Sequence, residues 1–496
     1  MLEIARADIP RKSNLYSWVR APRPVKPERI YEIAGRIGPD GAEFEALDEV
    51  AIRTTAQRLK KRGISAIAVC FLHSYANAAH EKRAREIILA EYPEALISLS
   101  SEILPVFREY ERTLVTMLNS YVMPAVSTYV GRLEQRMAAR QIDVPLLLMK
   151  SSGGVTGIDE VKRAPVQTAL SGPAAGVVGA AFVAGASGYG NLITIDIGGT
   201  SADIALIQDG TPGTTTGARI GEWPIPLPMI DIHTIGAGGG SIASISISGS
   251  LTVGPRSAGS TPGPVCYARG GKHPTVTDAN LVTELLDADY FAGGTVKLDR
   301  TATFEAFRRD LKPIFGDDVH TAALGIREIV VENMAQAARI HAIEKGKSIT
   351  SRTLVAFGGA APLHACHLAD KLGIDRIIIP SGASVGSAIG FLLAPVAYEV
   401  LRSGRYALDE MPVAQVNAML DSMSAAAHAV VEPALYGVAA LETRQIFMRY
   451  VGQGYEIPVP LPARALAAAD IPLIEQAFVA EYERLFSRTV PLARIE

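Results

Sequence analysis

Two aspartates, Asp196 and Asp203, bracket the run "DIGGTSAD", and apolar segments rich in Ile, Leu and Ala lead into it and out of it. Gly198 and Gly199 remove Cβ atoms from a tight turn and open it to close approach. Backbone N–H groups in such a turn can converge on an anion, and Thr200 and Ser201 add hydroxyl donors, so phosphate oxygens suit the nest. The two carboxylates would repel phosphate directly. They are better suited to Mg2+ held through water, because that ion keeps most of its hydration shell. A plain β-hairpin with a glycine turn accounts for the same residues equally well.

A second run, "VAFGGAAPLHA" from Val355 to Ala365, reads as a strand, a Gly358–Gly359–Ala360 turn and a helix. The glycines permit close approach and the helix N-terminus favours negative charge, which is a recurrent nucleotide contact. Pro362 suits a first helical turn. A third run, "DIHTIGAGGGSIA", carries Asp231 and His233 ahead of Gly238 and Gly239, and "PTVTDAN" supplies Asp278. Asp231, His233 and Asp278 could form a metal or acid–base cluster, although a histidine beside glycines is more often structural. "REYERT" from Arg108 reads as ordinary ion pairs along one helix face.

The elements that must position these residues follow from periodicity. Asn191–Ile197 reads as a strand and Ala202–Gln208 as its antiparallel return. Glu43–Arg62 and Asn77–Glu91 have helical spacing around a strand at "ISAIAVCFL". The long region Pro105–Gln141 is amphipathic, with Pro124 expected to kink or split it. Small residues dominate Gly172–Gly188, as in a helix that packs closely. Ala322–Lys345 is a long helix, and "RIIIP" with "SGASVGSAIGFLLA" repeats the strand–turn–helix order. Residues 212–271 are rich in Gly, Pro, Ser and Thr and too long for an ordinary loop.

The chain has 496 residues, enough for two to four domains. Apolar residues make up 48% and charged residues 20%, as expected of a large core. A net charge of −3 argues against sequence-blind nucleic-acid binding, because there is no excess of Lys and Arg to neutralise phosphates. No run of about 18 uncharged apolar residues occurs, so no membrane span is expected, and the N-terminus lacks the apolar stretch of a signal peptide. Cys70, Cys266 and Cys366 are too few and too scattered for a disulfide framework. They suggest a reducing, cytoplasmic setting.

These motifs together, with "REYERT…LNSYVMP", "SGPAAGVVGA", "VGPRSAGSTPGPVCYARGG" and "RYVGQGYEIPV" in order, make the chain resemble the A-type, ATP-binding subunit of the hydantoinase/oxoprolinase family along nearly its whole length. The resemblance implies an α/β, two-lobed ATPase fold similar to actin, heat-shock chaperones and sugar kinases (ribonuclease H-like), with a C-terminal α/β module. It implies three parts: a remnant of the family's N-terminal domain over 1–97, a core over 98–402 and a C-terminal module over 403–496. It also implies ATP and Mg2+ as cofactors, a small cyclic amide such as a hydantoin or 5-oxoproline as substrate, and a B-type partner subunit. Asp196, Asp203, Asp231 and His233 would be catalytic, with Asp196 and Asp278 near metal. Gly198, Gly199, Thr200, Ser201, Gly238, Gly239, Gly358, Gly359 and Ala360 would face the nucleotide. The family begins with another DxGGT-type loop, whereas this chain begins "MLEIAR", inside the first half. Ala202 stands where the family usually has Thr, and Arg256 where it usually has an acidic residue. An ATP-using subunit of a ketone carboxylase and a nucleotide-binding protein without turnover are the alternative functions.

Overall fold

The computed structural model describes residues 24–221, 223–435 and 437–496. The expectation about the chain's start at "MLEIAR" lies outside the described residues. In the first unit the short strands Arg36–Ile37 and Glu43–Glu45 pair antiparallel ahead of helix α1 (Glu49–Lys61). The helix is shorter than its periodicity suggested, because residues 43–45 are taken up by that strand and Asp48 caps the helix by accepting from the Ala51 N–H at 2.9 Å. Strand β1 (Ala66–Val69), helix α2 (Ala79–Glu91) and strand β2 (Leu96–Leu99) follow, with β1 and β2 parallel. Helix α3 (Glu109–Ala139) runs through Pro124 without the expected break. Buried residues on both sides of the proline, from Leu114 to Val130, hold the two halves in line, so tertiary packing outweighs the lost backbone hydrogen bond.

The centre is built from β3 (Leu147–Met149), β4 (Val155–Gly157), α4 (Ser171–Ala186), β5 (Leu192–Ile197), β6 (Ala202–Gln208) and β7 (Ile232–Ile235). It continues through β8 (Ser241–Ile245), β9 (Leu251–Ser257), α5 (Val276–Val282), α6 (Val319–Glu344), β10 (Thr353–Phe357), α7 (Ala361–Leu372), β11 (Ile377–Ile378) and α8 (Gly386–Leu393). The glycine-rich stretch before residue 271 is therefore short paired strands, including the antiparallel pair β8–β9, rather than loop alone.

The main sheet has the order β7–β6–β5–β10–β11, with β5, β6 and β7 an antiparallel meander and β10 and β11 parallel to β5. This strand order is the ribonuclease H-like arrangement of the actin and sugar-kinase class. Side chains alternate across it. Ile193, Ile195, Ile197 and Ile204 meet α6 and α7 on one face, while Leu192, Ala205, Ile207 and Phe357 meet α4 on the other. Each fully buried isoleucine contributes about 1.5–3 kcal/mol of burial. On the second face α4 and α8 pack backbone to backbone: a Cβ at Gly390 would collide with the Ala175 carbonyl. The last module holds α9 (Val413–Val431), the antiparallel pair β12 (Arg444–Met448) and β13 (Ile457–Leu461), and α10 (Ile471–Phe486), around its own apolar cluster from Leu408 to Ile495. No helix among the described residues is long and apolar enough to cross a membrane.

Candidate nucleotide site

Asp196, at the end of β5, pairs with Asp203 at the start of β6; on the outer flanks Asp203 pairs with Thr234 and Asp196 with Phe357. These four residues form one row across four strands, and directly opposed residues share a face. The Thr234 hydroxyl donates to Asp203 Oδ1 at 2.6 Å, and the Ser387 hydroxyl, at the start of α8, donates to Asp196 Oδ2 at 3.3 Å. Each carboxylate thus has one oxygen held by a hydroxyl and one with no protein hydrogen bond among the described residues. Burial, and then the charge of Asp203, push the Asp196 carboxyl up to about 6 against the Ser387 hydrogen bond. Burial also raises Asp203, opposed by Thr234.

The turn between the two aspartates is closed by the Gly198 N–H donating to the Ser201 carbonyl at 3.1 Å. Gly198, Gly199 and Thr200 are exposed. Neither glycine has a positive φ, and a Cβ on either would meet nothing within 4 Å. Their value is therefore the open space they leave, not a strained backbone. Gly359 is open in the same sense. Its neighbour Gly358 is different: φ is +88°, and a Cβ there would collide with the Asp196 carboxylate. The Ala360 N–H donates to the Ile197 carbonyl at 2.9 Å. The two glycine turns, far apart in sequence, thus meet at Asp196.

Gly238 and Gly239, expected to face the nucleotide, are buried behind the hairpin. Gly239 N–H donates to the Gly198 carbonyl at 3.0 Å and Gly240 N–H to the Gly199 carbonyl at 2.6 Å. A Cβ at Gly238 would lie 2.7 Å from the Thr200 nitrogen. They support the turn rather than line its open side.

The expected cluster of Asp231, His233 and Asp278 does not form. His233 pairs with Ile204, so it shares the α6 face of the sheet and points away from Asp203. There it stacks on His341 with ring centroids 5.8 Å apart, and Asp231 forms an ion pair with Lys345. Both residues fasten β7 to the end of α6. Asp278 is fully buried and accepts from the N–H groups of Val265, Cys266 and Thr275 and from the Thr275 hydroxyl, at 2.7–3.1 Å. It is a loop clamp and helix cap. Among the described residues no three His, Cys, Asp or Glu side chains are gathered to hold a metal. The "REYERT" ion pairs are also redirected. Arg112 is fully buried and donates to the carbonyls of Val106 and Phe71, and Arg108 pairs with Glu456 of the last module at 2.6 Å.

Sequence reasoning missed Thr234 and Ser387. The signal for Thr234 was strand alternation: it lies one residue from His233 and hence on the opposite face. Ser387 lies 191 residues from Asp196, and no local pattern links them.

The open glycine turns suit phosphate and a nucleotide. The carboxylate pair suits a cation that keeps its water, because it offers only two carboxylates and no cage of ligands. A sheet of this strand order is that of the two-lobed ATPase fold class. The chain belongs to the hydantoinase/oxoprolinase family: residues 112–400 match Hydantoinase/oxoprolinase and residues 1–92 its N-terminal region. The caprolactamase subunit alpha of Pseudomonas jessenii is 34% identical over 468 residues, covering 94% of this chain and 67% of that one. The crystal structure of the ATP-dependent caprolactamase from that organism superposes with a TM-score of 0.79 at 32% identity, covering 93% and 68%. Nucleotide-free acetone carboxylase superposes with a TM-score of 0.73 at 27% identity, covering 97% of this chain and 71% of that one. The 5-oxoprolinase of Saccharomyces cerevisiae is 34% identical over 366 residues, 71% of this chain but 28% of that longer protein.

Proposed function

We propose that the chain is the ATP-using subunit of an enzyme that opens a cyclic amide by phosphorylating its oxygen. The observation that carries this reading is the Asp196–Asp203 pair set between two open glycine turns. Gly198, Gly199, Thr200 and Ser201 would receive phosphate, and Gly358, Gly359 and Ala360 the nucleoside side. Asp196 and Asp203 would hold the waters of Mg2+, which would neutralise phosphate charge when bound. An amide is a poor electrophile, and phosphorylation of its oxygen activates the carbon for addition of water. The ring C–N bond then breaks with the nitrogen leaving as an amine, and the acyl phosphate so formed is hydrolysed to carboxylate and inorganic phosphate. For the chain, the phosphorylation step is mainly positioning and charge stabilisation. Similarity to a caprolactamase and a 5-oxoprolinase supports a lactam or related cyclic amide as substrate, and similarity to a caprolactamase alpha subunit supports a partner, which we take to be of B type.

Similarity to acetone carboxylase supports a second reading, in which the same site activates a ketone for carboxylation. The separate apolar clusters before residue 100 and after residue 407 support a division into 1–97, 98–402 and 403–496.

The test is phosphate release from the 496-residue chain with hydantoin, 5-oxoproline, caprolactam or acetone. It is run alone, with a B-type subunit, and joined to an upstream segment bearing a DxGGT loop. Amide-dependent release only in the assembled form is expected. Release that depends on acetone and bicarbonate selects the second reading, and nucleotide binding without release under any condition overturns both.

A further inference from the structure

We infer that Thr234 is a positioning residue of the nucleotide site, holding Asp203 so that its second carboxylate oxygen stays available to a bound cation. The inference rests on the nucleotide reading above and adds to it a residue that no motif assigned.

Three observations carry it. Sheet register sets Thr234 directly opposite Asp203, and Ile232, two residues earlier, packs with the α4 face. Thr234 therefore shares the face of the carboxylates, while His233 and Ile235 turn to the other. Its hydroxyl reaches Asp203 Oδ1 at 2.6 Å and is the one hydrogen-bond donor to that carboxylate among the described residues. The matching bond on Asp196, from Ser387, is longer at 3.3 Å and comes from the start of a helix rather than a paired strand. A β-branched side chain in a strand has few χ1 choices, so the hydroxyl direction is set with little loss of freedom on binding. Thr234 is itself exposed, at the open side of the site. Asp203 is thus the rigidly held member of the pair and Asp196 the more loosely held one.

The experiment measures Mn2+ affinity by electron paramagnetic resonance, with a non-hydrolysable ATP analogue present. Nucleotide affinity in EDTA is measured in parallel. Thr234→Val keeps the shape and removes the donor, Thr234→Ser keeps the donor, and Thr234→Ala is a second donor-less variant should Val disturb the strand. Expected are an unchanged melting temperature, at least tenfold weaker Mn2+ binding for Val and Ala, recovery to within threefold for Ser, and nucleotide affinity in EDTA within twofold throughout. In an Asp203→Asn background Thr234→Val should add little, because the group it positions is gone. Wild-type Mn2+ affinity in a folded Val or Ala variant overturns the inference, as does a full additional loss in the Asn background. A wild-type chain that binds nucleotide but not Mn2+ overturns the inference and leaves the nucleotide reading standing. One that binds neither overturns both.

Discussion

Asp196 and Asp203 sit directly opposite one another on adjacent antiparallel strands, with the open glycine turn of the hairpin between them. Like charges at opposed positions destabilise a sheet. Here they stand in strands otherwise composed mostly of isoleucine, leucine and alanine, where apolar residues would pack better. The cost is reduced by two hydroxyls, Thr234 and Ser387, and by the raised affinity of Asp196 for a proton. Perturbed carboxyls beside open glycine turns are what a cation and phosphate site requires.

That relationship sets a pH dependence. The folded Asp196 carboxyl titrates at about 6, against about 3.9 in an unfolded chain. Between those values the folded state binds more protons, so this group's contribution to stability falls as pH rises from 4 to 6. Cation affinity should move the opposite way and strengthen as pH rises through 6, because the carboxylate must ionise. Mn2+ titrations from pH 5 to pH 8 should show that rise, and Asp196→Asn should flatten it. A wild-type affinity that is flat across this range would contradict the assignment.

Gly199→Val places a branched side chain in open space on a backbone with ordinary φ. The fold should be retained, with a melting temperature close to wild type. A nucleotide at about a hundred times its dissociation constant adds about 2.7 kcal/mol of stability. Wild type should show the corresponding thermal shift with ATP or ADP and the variant none. An equal shift in both would return the turn to a plain hairpin.

Asp278→Ala should destabilise without touching cation binding. Three buried N–H groups and the Thr275 hydroxyl lose their acceptor, and each unsatisfied donor costs about 1–3 kcal/mol. Relaxation and water entry reduce the sum, and a loss of about 3 kcal/mol or more in urea unfolding is expected. If stability holds and metal affinity falls, Asp278 is a ligand after all.

His364, on α7 behind the Gly358 turn, is buried, and burial depresses its pKa to about 4. An unfolded histidine titrates near 6.5. As pH falls from 6.5 to 4 the unfolded state takes up a proton that the folded state refuses, so stability is lost across that window. Its Nε2 lies 3.5 Å from the Asn280 amide nitrogen. His364→Gln should be less stable than wild type at pH 7.5 and lose less on going to pH 5, as measured by urea midpoints. Equal losses in the two proteins would assign the acid sensitivity elsewhere.

Local sequence determined much of this protein. The strands at "LITIDI" and "ADIALIQ", the helices that open after "GGA" at Ala361 and at "SGPAAGVVGA", and the long helix ending at Glu344 all fall where apolar period and glycine breaks put them, because those signals act over a few residues. The open turns at Gly198 and Gly359 were legible for the same reason. What tertiary structure alone decided is which residues share a face and which meet across the sheet. One residue of strand alternation separates Thr234, beside Asp203, from His233, on the far side with His341. Burial turned Asp278 from a metal candidate into a clamp, and Arg112 from a helix-surface ion into a core donor. The contact of Gly358 with Asp196 joins residues 162 apart, and only the parallel pairing of β10 with β5 brings them together.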